Sequence, residues 1–254
     1  MKLEVRHVSK RFGGLSALAD VSFDVEERAI FGLIGPNGAG KTTLFNVMTG
    51  VYAPDAGTIR FGGAELSRLR AARVAAAGVA RTFQNIRLFA QLTVVENLLV
   101  ACEKDKKAHL AAALFRLASH YEDEARMRAR ALALLEVFGL RDAADAPATS
   151  LSYGMQRRLE IARAMMLSPK LLLLDEPAAG LNAAEASALA TQVRWLRDEH
   201  GVAVILVEHN VELVLSVCER ILVLDHGETI AEGTPAAIRR DPKVVAAYLG
   251  EAAL

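Results

Sequence analysis

Hydrophobic and polar positions alternate over Leu3–Val8 (L-E-V-R-H-V) and again over Val21–Val25 (V-S-F-D-V), as in half-buried strands. Gly13-Gly14 lies between them, so the two runs predict an antiparallel layer. Ala29–Ile34 (A-I-F-G-L-I) has no polar interruption and reads as a buried strand. Thr42–Thr49 follows, with Leu44, Phe45 and Met48 on one helical stripe. Pro54–Gly57 is a turn, Thr58–Phe61 a short strand and Gly62-Gly63 a second turn. Leu66–Ala77, rich in Arg and Ala, predicts a helix. Val79–Phe83 predicts another strand, ending in Gln84-Asn85, a polar pair that by itself reads as a loop cap.

From Leu92 to Gly139 the period becomes helical. Thr93 with Glu96 three residues on makes a capping box. Glu122–Arg126 and Glu124–Arg128 are spaced as i,i+4 pairs on a solvated face, while Met127, Ala131, Leu134 or Leu135, and Phe138 face a core. This block interrupts the α/β pattern and predicts a second subdomain. Ser152 and Gly154 precede a helix bearing Leu159, Ala162 and Met166 on one face. They either cap it or donate to an anion, since a helix start with a hydroxyl and bare backbone suits phosphate.

The apolar pattern then returns. Leu171–Leu174 is a buried strand that ends in Asp175-Glu176, Ala183–Glu199 a helix, and Val202–Val207 a buried strand that ends in Glu208-His209-Asn210. Ile221–Leu224 and Thr229–Ala231 flank Asp225-His226-Gly227 as a hairpin. Thr234-Pro235 and Asp241-Pro242 are helix starts, and Gly250 is expected to end the last helix. There is no internal repeat.

Composition narrows the function classes. Lys plus Arg and Asp plus Glu are 30 each, so the net charge of zero gives no overall attraction to nucleic acid. The Lys104–Lys107 stretch is too short to argue otherwise. Cys102 and Cys218 stand far apart and suggest neither a disulfide framework nor a zinc site. No secretory segment opens the chain, and no apolar run approaches the ~20 residues of a membrane span. A soluble cytoplasmic protein is expected, able to sit on a membrane partner.

The chemistry concentrates where strands end. Gly35-Pro36-Asn37-Gly38-Ala39-Gly40-Lys41-Thr42-Thr43 fits the phosphate-binding pattern G-x-x-x-x-G-K-[ST], between a predicted strand and a predicted helix. Glycines let successive N–H groups converge on phosphate oxygens at the helix start. Lys41 would reach the β- and γ-phosphates, and the Thr42 hydroxyl would face Mg²⁺. In such a protein Asp175 would hold the metal through water, and Glu176 would orient or deprotonate the attacking water. His209, at the end of a core strand, is a candidate for the γ-phosphate. On spacing alone Phe12 reads as packing.

In their order these pieces resemble the ATPase subunit of ABC transporters over essentially the whole chain, an α/β P-loop fold with a RecA-like core, an N-terminal antiparallel β layer and an inserted helical subdomain. The resemblance implies one ABC domain over 1–254, with a catalytic core at 1–84 and 167–254 and a helical, signature-bearing subdomain at 85–166. It places Phe12 at the adenine-stacking position. Gln84 falls at the Q-loop, among the catalytic and metal-facing residues. Leu151-Ser152-Tyr153-Gly154-Met155-Gln156 falls at the signature, Ala179–Asn182 at the D-loop and His209 at the switch histidine.

Two features depart from the usual pattern. Tyr153 and Met155 stand where the L-S-G-G-Q signature has Gly and Gln, and Asn182 replaces Asp. The runs A-R-T-F-Q-N-I-R-L-F, L-S-Y-G-M-Q-R-R-L-E-I-A-R-A-M and D-E-P-A-A-G-L-N are instead similar to branched-chain amino acid importer ATPases of the LivG type. That likeness implies ATP and Mg²⁺, a dimer with itself or a paralogous LivF-like ATPase, and two membrane permeases. It also implies a periplasmic binding protein acting indirectly. An exporter or lipid-extracting ATPase, or an importer of urea or amides, shares most of these motifs. A DNA- or ribosome-directed ATPase would want a long coiled-coil insertion, tandem domains or a basic surface, and GTP binding an N-K-x-D motif; none is present.

Overall fold

The computed structural model describes residues 1–84, 86–101 and 118–251. Asn85, Cys102 and Lys104–Lys107 lie outside the described residues. Among the described residues ten strands form two sheets: β1 (Leu3–Phe12), β2 (Leu15–Val25), β3 (Ile30–Ile34), β4 (Ala56–Phe61), β5 (Ala64–Glu65), β6 (Val79–Arg81), β7 (Leu171–Asp175), β8 (Ala203–Val207), β9 (Arg220–Asp225) and β10 (Glu228–Gly233). The helices are α1 (Lys41–Met48), α2 (Ala71–Ala76), α3 (Val94–Leu99), α4 (Ala118–Val137), α5 (Tyr153–Met165), α6 (Ala183–His200), α7 (Val211–Val217), α8 (Pro235–Ile238) and α9 (Pro242–Glu251).

The central sheet has the order β10-β9-β3-β8-β7-β6, parallel except for the β9–β10 hairpin. Its inner strands are covered on both sides, which is why β3, β7 and β8 are uninterrupted apolar runs. Alternation along each strand sends Ile34, Leu172, Leu174, Val204 and Leu206 into one core with the helices of 94–217. Leu33, Leu171, Leu173, Ile205 and Val207 enter the other, against α1 and the antiparallel sheet β2-β1-β4-β5. Alternating Leu3, Val5, Val21, Phe23 and Val25 line that second core, as the sequence pattern predicts.

Parallel register sets the site. Asp175 pairs with Val207, and Leu33 with Val207 on the opposite side of β8. The residues after β3, β7 and β8 therefore emerge together at one edge of the sheet, where parallel α/β sheets bind ligands.

Several local expectations are modified. The helix expected from Leu66 starts only at Ala71. Leu66 and Ser67 are buried, and they instead hydrogen-bond to Ile59 on β4 through Leu66 N and Ser67 Oγ, a tertiary demand that overrides helix propensity. The last helix runs through Glu251 rather than ending at Gly250. Arg126 pairs with Asp123 at 2.5 Å and Arg128 with Asp145 at 3.0 Å, instead of the i,i+4 partners Glu122 and Glu124. Thr93 does build the capping box with Glu96.

Candidate functional site

The Gly35–Thr43 loop turns from β3 into α1 through glycines at φ 153° (Gly35), 79° (Gly38) and 100° (Gly40). At Gly35 a Cβ would lie 2.1 Å from the Leu224 carbonyl oxygen, and at Gly40 2.6 Å from that of Ala17. At Gly35 and Gly40 the loop thus packs directly on β9 and β2, with room only for glycine. The Lys41 ammonium lies within the loop and donates to the carbonyls of Gly35 at 2.5 Å and Pro36 at 2.8 Å. Asn37 to Thr43 line a cleft of about 560 Å³ together with Phe12, Gln84, Glu176 and His209.

Glu176 is held in this cleft by two side chains. Its Oε1 faces His209 Nε2 at 2.8 Å and its Oε2 accepts from Gln84 Nε2 at 3.0 Å. With a carboxylate as acceptor, the His209 Nε2 carries the proton. The Glu176 backbone sits at φ 47°, a left-handed conformation that is costly for a non-glycine residue. Three segments remote in sequence, after β6, β7 and β8, thereby converge on one carboxylate.

Asp175 is buried at the end of β7. Burial pushes its carboxyl pKa up, against the opposing pull of Arg81, whose Nη2 donates to Oδ2 at 2.9 Å. Arg81 Nη1 also donates to Asn46 Oδ1 at 2.6 Å, which fastens β7 to α1 across β6. Glu208 is likewise buried and shifted upward by desolvation, and its Oε1 accepts from Ala178 N at 2.6 Å. This bond fixes the turn that follows Glu176. Asn182, where an Asp was expected, caps α6 reciprocally with Glu185 at 3.0 Å in both directions. Asn serves as well as Asp there.

Phe12 is 42% exposed at the cleft's edge, its ring edge-on to Tyr52 with centroids 5.2 Å apart. It is not core packing. Ser152 caps α5, accepting from Met155 N at 3.4 Å, and Gly154 is buried against Glu185. Neither lines the cleft. Sequence reasoning gave no role to Arg81, Arg157, Glu160 or Glu208. A signal was available for the two acids, Glu160 between Leu159 and Ile161 and Glu208 directly after an apolar run, and none for the two arginines.

Residues 18–179 match the family model described as ABC transporter, and residues 228–253 the one described as branched-chain amino acid ATP-binding cassette transporter. The chain is 48% identical to the high-affinity branched-chain amino acid transport ATP-binding protein BraF of Pseudomonas aeruginosa, over 98% of each chain. It is 45% identical to the corresponding protein LivG of Escherichia coli, again over 98% of each. The solved structure of MJ1267, an ATP-binding cassette of an ABC transporter in its ADP conformation, superposes with a TM-score of 0.85 at 32% identity, covering 98% of this chain and 99% of that one. With the Gly35–Thr43 loop and Glu176 placed as described, the chain belongs to the ATP-hydrolysing subunits of ABC transporters, in the group of branched-chain amino acid transport ATP-binding proteins.

Proposed function

We propose that this chain powers the uptake of branched-chain amino acids by hydrolysing ATP in the cleft between α1 and the ends of β7 and β8. The observation that carries the reading is Glu176, held between Gln84 and His209 in the cleft that the phosphate-binding loop also lines. Backbone N–H groups of Gly38 to Thr43 donate to phosphate oxygens, and the Lys41 ammonium exchanges its carbonyl partners for the β- and γ-phosphates. Phe12 stacks on the adenine. Glu176 accepts the proton of the water that attacks the γ-phosphorus, and its bonds to Gln84 and His209 fix the direction of attack. ADP and inorganic phosphate leave.

A magnesium ion suits the donors. The Thr42 hydroxyl, the Gln84 amide oxygen and the Asp175 carboxylate are hard oxygen ligands of the kind that ion prefers. When bound, the ion would supply positive charge against the β- and γ-phosphates.

Ser152 and Gly154 stand outside the chain's own cleft, which supports a dimer in which each chain offers them to its partner's nucleotide. The partner is a second copy or a paralogous LivF-like ATPase. Two membrane permeases dock on the helical region 85–166, while 1–84 and 167–254 form the catalytic core. A periplasmic binding protein delivers cargo indirectly, and nucleic acid has no part. Attachment is peripheral, at the cytoplasmic face and through the permeases; among the described residues no helix is long and apolar enough to cross a membrane. The dimer is tested by sedimentation of Glu176→Gln with ATP. The expected result is a dimer with ATP and a monomer with ADP, while a monomer under both conditions, with ATP bound, overturns it.

A further inference from the structure

Tyr153, the bulky residue at the start of α5, is 48% exposed and lies against Gly180, where a Cβ would sit 3.2 Å from its ring. Its hydroxyl accepts from Arg157 Nη2 at 2.9 Å. The Arg157 guanidinium, 3% exposed, also donates to the backbone carbonyls on either side of one peptide link: Nη1 to Phe83 at 2.9 Å, and Nη2 to Gln84. Glu160, one turn along α5 and 2% exposed, accepts from Phe83 N at 3.4 Å and pairs with Arg157 at 3.5 Å. The backbone that bears Gln84 is therefore gripped on its donor and acceptor sides by two charges of one helix. The Gln84 side chain, in turn, donates to Glu176.

We propose that Arg157, steadied by Tyr153, is a positioning residue that sets the Gln84 carboxamide against Glu176, so that the start of α5 and the hydrolytic carboxylate move as one unit. The consequence for ATP turnover rests on the catalytic role proposed for Glu176. The forked guanidinium is essential to the geometry because it spans two carbonyls and a phenol, a reach that one ammonium does not reproduce. A carboxylate displaced by about 1 Å loses on the order of 10²-fold in rate.

The test uses Arg157→Lys, which keeps a positive charge beside Glu160, and Tyr153→Phe, which keeps the ring on Gly180. Each is made in the natural chain and in Gln84→Ala. The control is Arg158→Lys, whose parent side chain donates to Phe138 O at 3.0 Å on another side of α5. Arg157→Lys is expected to lower the ATP kcat about 10²-fold with KM unchanged within about twofold, and Tyr153→Phe to lower it by about fivefold. In Gln84→Ala neither should lower kcat further, because the group they position is gone. Equal losses in both backgrounds, or full activity of Arg157→Lys, overturn the proposal.

Amide exchange at Phe83 is the readout independent of hydrolysis. It should quicken in Arg157→Lys while amides of α1 do not change, and an unchanged Phe83 amide overturns the grip itself. If the natural chain hydrolyses no ATP, the catalytic reading fails, and the exchange result still decides the positioning contact.

Discussion

Gly35→Ala and Gly38→Ala change the same loop by the same methyl group, three residues apart, yet the structure assigns them different costs. Both positions have positive φ, at 153° and 79°. A left-handed or otherwise sparsely populated backbone costs a non-glycine residue about 2 kcal/mol. At Gly38 nothing lies within 4 Å of the added Cβ, so the backbone is the whole cost. At Gly35 the methyl would fall 2.1 Å from the Leu224 oxygen and 3.1 Å from Ala39 Cβ, and β9 or the loop must shift. Overpacking of this kind adds roughly another 2 kcal/mol. For a chain of this size each kcal/mol moves Tm by about 3 °C. Thermal unfolding followed by circular dichroism should therefore show a fall of about 6 °C for Gly38→Ala and about 12 °C for Gly35→Ala. Gly35→Ala should also lose ATP binding, because the loop no longer presents its N–H groups in register. Equal shifts for the two variants would refute the claim that close approach to β9, rather than backbone conformation alone, fixes the first glycine.

Glu176→Gln preserves size but removes the proton acceptor, and its single amide oxygen can accept from only one of Gln84 and His209, so kcat for ATP should fall by roughly 10²–10⁴-fold; a phosphate-release assay measures it. Phe12→Ala should raise the ATP KM about tenfold and Phe12→Trp should restore it, given that aromatic–base stacking is worth about 1–3 kcal/mol. Burial pushes the Cys218 thiol up to about 12. In a Cys102→Ser background at pH 8, a disulfide reagent should therefore label the native protein about 10³-fold more slowly than the urea-unfolded chain. A comparable rate in the native state would show that Cys218 is exposed.

Much of the site was legible because it depends on local spacing and on where buried strands stop. The Gly35–Thr43 pattern, Asp175-Glu176 after four leucines and His209 after an apolar run each mark a strand end, and parallel pairing brings such ends to one edge. Gln84 and Phe12 carried no chemistry by spacing and gained meaning only by resemblance. The structure then set Gln84 on Glu176 and Phe12 at the cleft mouth. Long-range contacts were not readable. Arg81 meets Asp175, and Arg157 meets Phe83, across separations of 94 and 74 residues, and no local period, of the strand that carries Arg81 or of the helix that carries Arg157, names such partners. The same limit explains α2, whose expected first turn is drawn onto β4 by Ser67. The missing i,i+4 pairs have the same origin, since Arg128 finds Asp145, 17 residues on, nearer than Glu124.

The central claim is that ATP hydrolysis at Glu176 drives entry of branched-chain amino acids. The most direct measurement is initial uptake of labelled leucine by cells lacking other leucine systems and carrying the natural chain or Glu176→Gln at equal expression. The account predicts saturable uptake with the natural chain, competed by isoleucine and valine and not by urea, and near-background uptake with Glu176→Gln. Equal leucine entry with both chains would contradict it.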